Sequence, residues 1–256
     1  MYVIKTSHNH YIKWHIQRPD RFNALGPIIG RELLDSLNEL SKNDLKNSHT
    51  RMLAITAETV KTRRGPIWVA GGDLKELSQL KGSSEAFAYG ELFQNILEKL
   101  RSLPIPVVFV INGQAIGGGV ELTLGGDLRI GTQDSSFHFK QTAVGLATGY
   151  GGSAYLKELV GSSRAAGWLL MNQTLNANEA LQQGLIHQVI SKEEIDETLE
   201  TLSLQFSKQS PRAIDGQKKM LNRPSPQLKA DLKEELREFS EIWGNDHHKK
   251  FLSKYS

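Results

Sequence analysis

The spacing of apolar side chains changes period along the chain. Residues 2–17 alternate in strand fashion (Tyr2, Ile4; Tyr11, Trp14, Ile16) and are broken at Ser7-His8-Asn9, which predicts a β-hairpin. Residues 27–43 carry Ile28, Ile29, Leu33, Leu34, Leu37 and Leu40 at the i, i+4, i+7 spacing of an amphipathic helix. Arg51–Thr56 reads as a buried strand, and Val107–Ile111, bounded by Pro106 and Asn112-Gly113, as a stronger one. Between them, Ala86–Leu103 aligns Phe87, Leu92, Phe93, Ile96, Leu97 and Leu100 on one helical stripe. Strands separated by helices predict an α/β architecture with parallel pairing.

After about residue 150 helical spacing takes over, in Ser153–Val160, Arg164–Leu170, Ala177–Gln183, Glu193–Ser207, Pro211–Leu221 and Gln227–Ile242. Only Ile186–Ile190 looks extended there, and Pro211 and Pro224-Ser225-Pro226 punctuate the helices. The pattern divides the chain into an α/β core over residues 1–190 and a helical C-terminal section over residues 191–256.

Composition narrows the function classes. A length of 256 residues suits one domain or one with an appendage, and 39% hydrophobic with 23% charged residues is the balance of a globular protein. A net charge of +3 is too small an excess to argue for nucleic acid. The absence of cysteine excludes disulfides, thiolate catalysis and cysteine-ligated metal. Met1–Lys5 reads as a strand rather than a leader, and no apolar run of membrane-spanning length occurs. The expectation is a cytoplasmic protein with no membrane partner.

Two glycine segments carry the candidate chemistry: Val69-Ala70-Gly71-Gly72-Asp73-Leu74 and Asn112–Glu121, with its Gly117-Gly118-Gly119. Each precedes a helix-like run, where backbone N–H groups lack partners and can face an anion. Two such donors aimed at one point would hold the oxyanion of an enolate. Glu121 lies about one turn from its glycines. It reads either as the base of such a site or as a helix-start acid favoured by roughly 0.3–1 kcal/mol. Gly149-Tyr150-Gly151-Gly152-Ser153-Ala154 matches G-x-G-x-x-A, but it lacks a good preceding strand and an acidic residue about 20 positions on, so no dinucleotide site is expected. The pairs His247-His248 and His8/His10 lack the helical spacing of a metal site, and none is expected. Lys61, Arg63 and Arg64 read as a solvated loop or as a phosphate-facing cluster.

Together these segments resemble the crotonase (enoyl-CoA hydratase/isomerase) superfamily. Arg18-Pro19-Asp20-Arg21-Phe22-Asn23-Ala24-Leu25 is similar to its N-terminal "RP…NAL" segment, and Trp68–Glu76 to its "F-x-A-G-A-D-L-K-E" loop. Ile111–Glu121 is similar to "NG-x-A-x-GGG-x-E", followed by Gly126-Asp127 for "C-D". Val144–Leu156 and Phe251-Leu252-Ser253-Lys254 match two further motifs in order. The resemblance implies a spiral of ββα turns whose helical C-terminal section serves assembly into a homotrimer or homohexamer. It implies an acyl-CoA thioester as substrate, with coenzyme A as part of that substrate and no separate cofactor. The N–H groups of Gly72 and Gly118 then form the oxyanion hole. Asp20, Arg21, Phe22, Ala70, Asp73 and Lys75 match positions lining the coenzyme A site, and Lys254 matches a C-terminal lysine near the nucleotide end.

The departures concern the chemistry. Family hydratases use two glutamates; Glu121 fits the first, and Gln141 occupies the place of the second. An amide orients water but exchanges no proton usefully near neutral pH. Thr148 replaces a proline, and Tyr150 replaces a small residue, where its phenol either enters the pocket or packs. The loop Glu58–Pro66 is longer and more basic than is usual for the family. Three readings follow: an enoyl-CoA hydratase/isomerase-type enzyme with a non-standard site; a carboxyacyl-thioester decarboxylase or other lyase; and an acyl-CoA-binding protein with little catalysis.

Overall fold

A computed structural model of the protein describes residues 1–42, 45 and 49–254, the side chains of 41 and 42 excepted. Two strands, β1 (Val3–Ser7) and β2 (Tyr11–Ile16), form the antiparallel hairpin expected, with Val3 opposite Ile16. Helix α1 (Pro27–Lys42) buries Ile29, Leu33, Leu37 and Leu40; its last expected position, 43, lies outside the described residues.

The chain then repeats one unit, a strand in a first sheet, a short strand in a second, and a helix. β3 (Met52–Ala57), β4 (Ile67–Val69) and the helices α2 (Leu74–Leu77) and α3 (Ser83–Ser102) make one turn. β5 (Val107–Ile111), β6 (Gln114–Ile116) and α4 (Gly118–Thr123) make the next. β7 (Leu128–Thr132), β8 (Ser136–His138), α5 (Gly152–Val160) and α6 (Ser162–Leu170) follow. The segment after that contains β9 (Thr174–Asn176), α7 (Ala177–Gln182) and β10 (Gln188–Ile190). The first sheet runs β1-β2-β3-β5-β7-β10 and the second β4-β6-β8-β9, so successive turns lie beside one another as a spiral. Every residue of β3 and β5 is buried, as parallel strands covered on both faces must be.

The helices α8 (Ile195–Ser207), α9 (Pro211–Leu221), α10 (Pro226–Glu241) and α11 (Asp246–Leu252) complete the chain. Helix α8 covers one sheet face through Leu199, against Tyr11, Met52, Val108 and Ile130. Helix α9 is locked by Lys218, 2.5 Å from Asp127, whose carboxylate also accepts from Val107 N–H at 2.7 Å. Helix α10 lies across α3 and α5.

Two expectations are corrected here. Phe87 is exposed rather than on the α3 stripe, because the buried face runs through Ala86, Tyr89, Phe93, Ile96, Leu97 and Leu100 and leaves Phe87 about 100° away. Ile186–Ile190 is not the only extended segment after residue 150, since Thr174–Asn176 pairs antiparallel with Ser136–His138. Among the described residues no helix is long and apolar enough to cross a membrane.

Candidate active site

The loop after β4 is held by a single parallel bridge. Leu25 N–H donates to Gly71 O at 2.6 Å and Asp73 N–H donates to Leu25 O at 2.9 Å. That pairing turns the intervening N–H of Gly72 away, and among the described residues it has no acceptor. Gly71 has φ 85°, and a Cβ there would lie 2.6 Å from Ile116 O and 3.5 Å from Gly118 N, so the two glycine loops touch. Gly117 takes φ 51° ahead of α4, and Gly118 is that helix's first residue. Its N–H also lacks an acceptor among the described residues, as a first-turn N–H must unless something outside the helix accepts it.

Neighbouring polar groups fix these loops. Asn23, in a left-handed conformation with φ 56°, accepts from Arg18 N–H at 2.7 Å and donates to Glu58 O at 2.6 Å and Trp68 O at 2.8 Å. Asp73 is buried, caps α2 by accepting from Lys75 N–H at 2.9 Å and Glu76 N–H at 3.2 Å, and lies 3.0 Å from the Arg18 guanidinium. The carboxylate of Asp73 is therefore engaged within the fold, although the residue borders the cleft.

Glu121 is buried in α4. Its Oε1 accepts from Gln141 Nε2 at 2.8 Å, and its Oε2 accepts from the N–H groups of Gly149 at 3.2 Å, Tyr150 at 2.9 Å and Gly152 at 3.2 Å. Burial raises its pKa, and these hydrogen bonds oppose the rise without cancelling it. Gln141 Oε1 is buried with no partner among the described residues. Glu235 of α10 approaches the same turn from the other side, accepting from Gly151 N–H at 2.9 Å and Ala154 N–H at 3.0 Å. Burial first, and the charge of Glu121 second, push Glu235 up to about 7.

Tyr150 is buried, stacked on Phe93 at 4.3 Å, with its hydroxyl against that of Tyr89. Tyr89 in turn donates to Leu25 O at 2.9 Å. The Tyr150 ring lies over Gly118, where a Cβ would come within 2.5 Å of Cε2.

Gly72, Gly118, Glu121, Gln141 and Tyr150 line one small cavity of about 80 Å³, closed by Leu77, Phe239, Trp243 and His248. Gly72 and Leu74 also border a cleft of about 740 Å³ that contains Asp20, Arg21, Phe22, Ala70, Asp73 and Lys75. Arg64, Lys140 and Phe251 line this cleft as well. Lys254 is exposed one turn beyond Phe251 and does not line it. Of the basic loop, Arg64 reaches the cleft, whereas Lys61 and Arg63 do not line it.

The residues that sequence reasoning missed are Glu235, Tyr89, Lys140, Phe251, Trp243 and His248. Glu235 had a signal: it interrupts the apolar stripe of α10 formed by Leu228, Leu232, Leu236 and Phe239. A carboxylate on such a stripe must find buried partners.

A small cavity with two unpaired glycine N–H groups beside a buried carboxylate, sharing Gly72 and Leu74 with a basic cleft, is the equipment of an enzyme acting next to a carbonyl. Comparison with known proteins agrees. Residues 7–256 match the family model described as enoyl-CoA hydratase/isomerase, and the chain belongs to that family. It is 29% identical to the short-chain-enoyl-CoA hydratase of Clostridium acetobutylicum over 81% of this chain and 76% of that protein. It is 30% identical to the crotonyl-CoA hydratase of Syntrophomonas wolfei over 71% of this chain and 66% of that one. The crystal structure of an enoyl-CoA hydratase from Bacillus halodurans superposes with a TM-score of 0.87 at 22% identity, over 99% of this chain and 100% of that one, and shares the fold.

Proposed function

We propose that this chain binds a coenzyme A thioester along the 740 Å³ cleft and adds water to a short 2-enoyl-CoA, a hydratase/isomerase-type reaction with a non-standard site. The observation that carries this reading is that Gly72 N–H, Gly118 N–H and the buried Glu121 carboxylate meet in one cavity. The thioester oxygen would accept from both N–H groups. One such donor is worth about 3–4 kcal/mol where charge develops. Arg21, Arg64, Lys75 and Lys140 give the cleft the charge that phosphates require. The 80 Å³ cavity favours an acyl group of a few carbons.

With Gln141 in place of a second glutamate, Glu121 handles the proton alone. A water donating to Glu121 Oε1 and to the unpartnered Gln141 Oε1 has its lone pair free for Cβ. As its oxygen bonds to Cβ, one O–H bond breaks and the proton passes to Glu121, while the π pair moves onto the thioester oxygen. The proton then leaves Oε1 for Cα and the enolate collapses. A pKa raised by burial makes Glu121 a stronger base for the first step.

Hydration is better supported than decarboxylation because Tyr89 donates to Leu25 O, which makes Tyr150 the donor to Tyr89. The Tyr150 proton is thereby committed and unavailable to quench a carbanion. A cytoplasmic homotrimer or homohexamer completes the proposal, with Lys254 reaching the nucleotide end of a neighbouring subunit's cleft. A native mass of one chain would remove that part.

Crotonyl-CoA hydration, followed as loss of enoyl absorbance, tests the reading. The natural protein should turn over, and Glu121→Gln should be slower by about 10²–10⁴-fold. Equal rates would remove Glu121 from the chemistry. Binding of acyl-CoA without turnover would instead favour a binding protein.

A further inference from the structure

The turn that starts α5 has no free backbone donor. Six consecutive N–H groups, Gly149 to Ala154, are all taken by side chains: three by Glu121, two by Glu235, and that of Ser153 by Thr148 Oγ1 at 3.1 Å. Two carboxylates from different helices thus share one helix N-terminus. Both are buried, at 4% and 7% exposure, so their charges are poorly screened from each other. Glu121 receives a fourth donor from Gln141, whereas Glu235 has two backbone donors and the Thr148 hydroxyl. The anion is better solvated on Glu121, and the first shared proton belongs on Glu235. Glu235 does not line the cavity and cannot touch a substrate.

We infer that Glu235 is a positioning residue that sets the proton affinity of Glu121 through the turn they share. While Glu235 carries a proton, Glu121 is the anionic base; when Glu235 ionises, Glu121 holds its own proton more tightly. The other titratable groups near this turn come from α3, α5 and the turn before it, α10 and α11. Tyr155 of α5 faces Glu235 and is pushed up to about 12, with the Arg101 guanidinium of α3 over its ring at 4.6 Å and Glu98 and Glu158 beside it. Tyr89 and Tyr150 are raised by burial, and His248 of α11 is lowered. Lys157 is paired with Asp231, and on the outer face of α10 Arg237 is paired with Glu234, Glu238 and Glu241.

The role rests on Glu121 being the reacting carboxylate, but the coupling is measurable without substrate. Protein with ¹³C-labelled glutamate carboxyls would be titrated by NMR as the natural chain, as Glu235→Gln and as Glu121→Gln. The Glu235 midpoint should fall in Glu121→Gln by about half to one pH unit, roughly three- to tenfold in proton affinity, because the neighbouring anion is then gone. The Glu121 midpoint should move less in Glu235→Gln, because Glu235 already carries its proton where Glu121 titrates. A Glu235 midpoint unchanged in Glu121→Gln would overturn the inference. If Glu235→Gln does not fold, Glu121→Gln and the natural protein decide, and independent one-site curves would overturn it. A purely structural role for Glu235 would leave its own midpoint in place in Glu121→Gln. Coupled titrations without turnover of any acyl-CoA would support the coupling and sink the proposed reaction; turnover with uncoupled titrations would do the reverse.

Discussion

Replacing Gly118 by alanine measures how closely the second glycine loop is fitted to the aromatic wall behind it. A methyl group at that position lies 2.5 Å from Tyr150 Cε2, 3.0 Å from Cζ and 3.1 Å from Oη, where ordinary contact begins at 3.4 Å. The ring would have to withdraw by about 1 Å, and nothing behind it yields readily in a close-packed core. Phe93 is stacked on it at 4.3 Å with an interplanar angle of 17°, and Tyr89 holds its hydroxyl. Overpacking of this kind costs about 1–3 kcal/mol. At about 2–4 °C per kcal/mol for a chain of this size, the thermal midpoint should fall by roughly 2–12 °C. Tyr150→Ala alone should cost about 3–5 kcal/mol through the cavity it leaves. The double variant should be more stable than the sum of the two by about 1–3 kcal/mol, since the new methyl then meets no ring. Thermal unfolding at one fixed protein concentration gives all four corners of the cycle. A Gly118→Ala cost below about 0.5 kcal/mol, or strict additivity, would refute the fit.

Three further outcomes follow from the same geometry. Glu235 is raised from 4.5 to about 7, so the folded state binds its proton more tightly than the unfolded state; that stabilisation is full below pH 4.5 and is lost as pH rises through 7. At 1.36 kcal/mol per unit the loss is about 3 kcal/mol, and urea midpoints between pH 5 and 8 should decline less steeply in Glu235→Gln. Asn23→Ala removes three hydrogen bonds and strands buried Trp68 O and Arg18 N–H, which should destabilise by about 3 kcal/mol or more in the same assay. Tyr150→Ala enlarges the cavity that the proposed function gives to the acyl group, so KM for six- and eight-carbon enoyl-CoAs should fall relative to crotonyl-CoA; an unchanged preference would remove Tyr150 from chain-length selection.

Long elements were legible in the sequence because burial imposes a period on them. The uninterrupted apolar run of β5, the run of β3 broken only by Thr56, and the stripes of α1 and α10 follow from which faces are covered, whereas α9 buries Asp215 and Lys218. The second sheet was not legible, since β4, β6, β8 and β9 have three residues each and too few positions to show alternation. The glycine segments stood out because their backbone conformations and close approaches suit no larger residue, as at Gly71 against Ile116 O. Glu121 was found through its distance from those glycines. Glu235 was not, because it reaches the turn before α5 from a helix far along the chain, and only tertiary packing brings the two carboxylates together. Tyr89 was hidden in the same way: in the sequence it is one more aromatic on a helix, and its hydroxyl gains meaning only from Tyr150 and Leu25 O.

The central claim is that Gly72 N–H, Gly118 N–H and Glu121 stabilise and protonate one thioester enolate. Its most direct test is deuterium exchange at Cα of butyryl-CoA in D₂O, which involves no added water and no second acid. The account predicts exchange by the natural protein, at least about 10²-fold slower in Glu121→Gln. Exchange no faster than buffer alone, or exchange indifferent to Glu121→Gln, would contradict it.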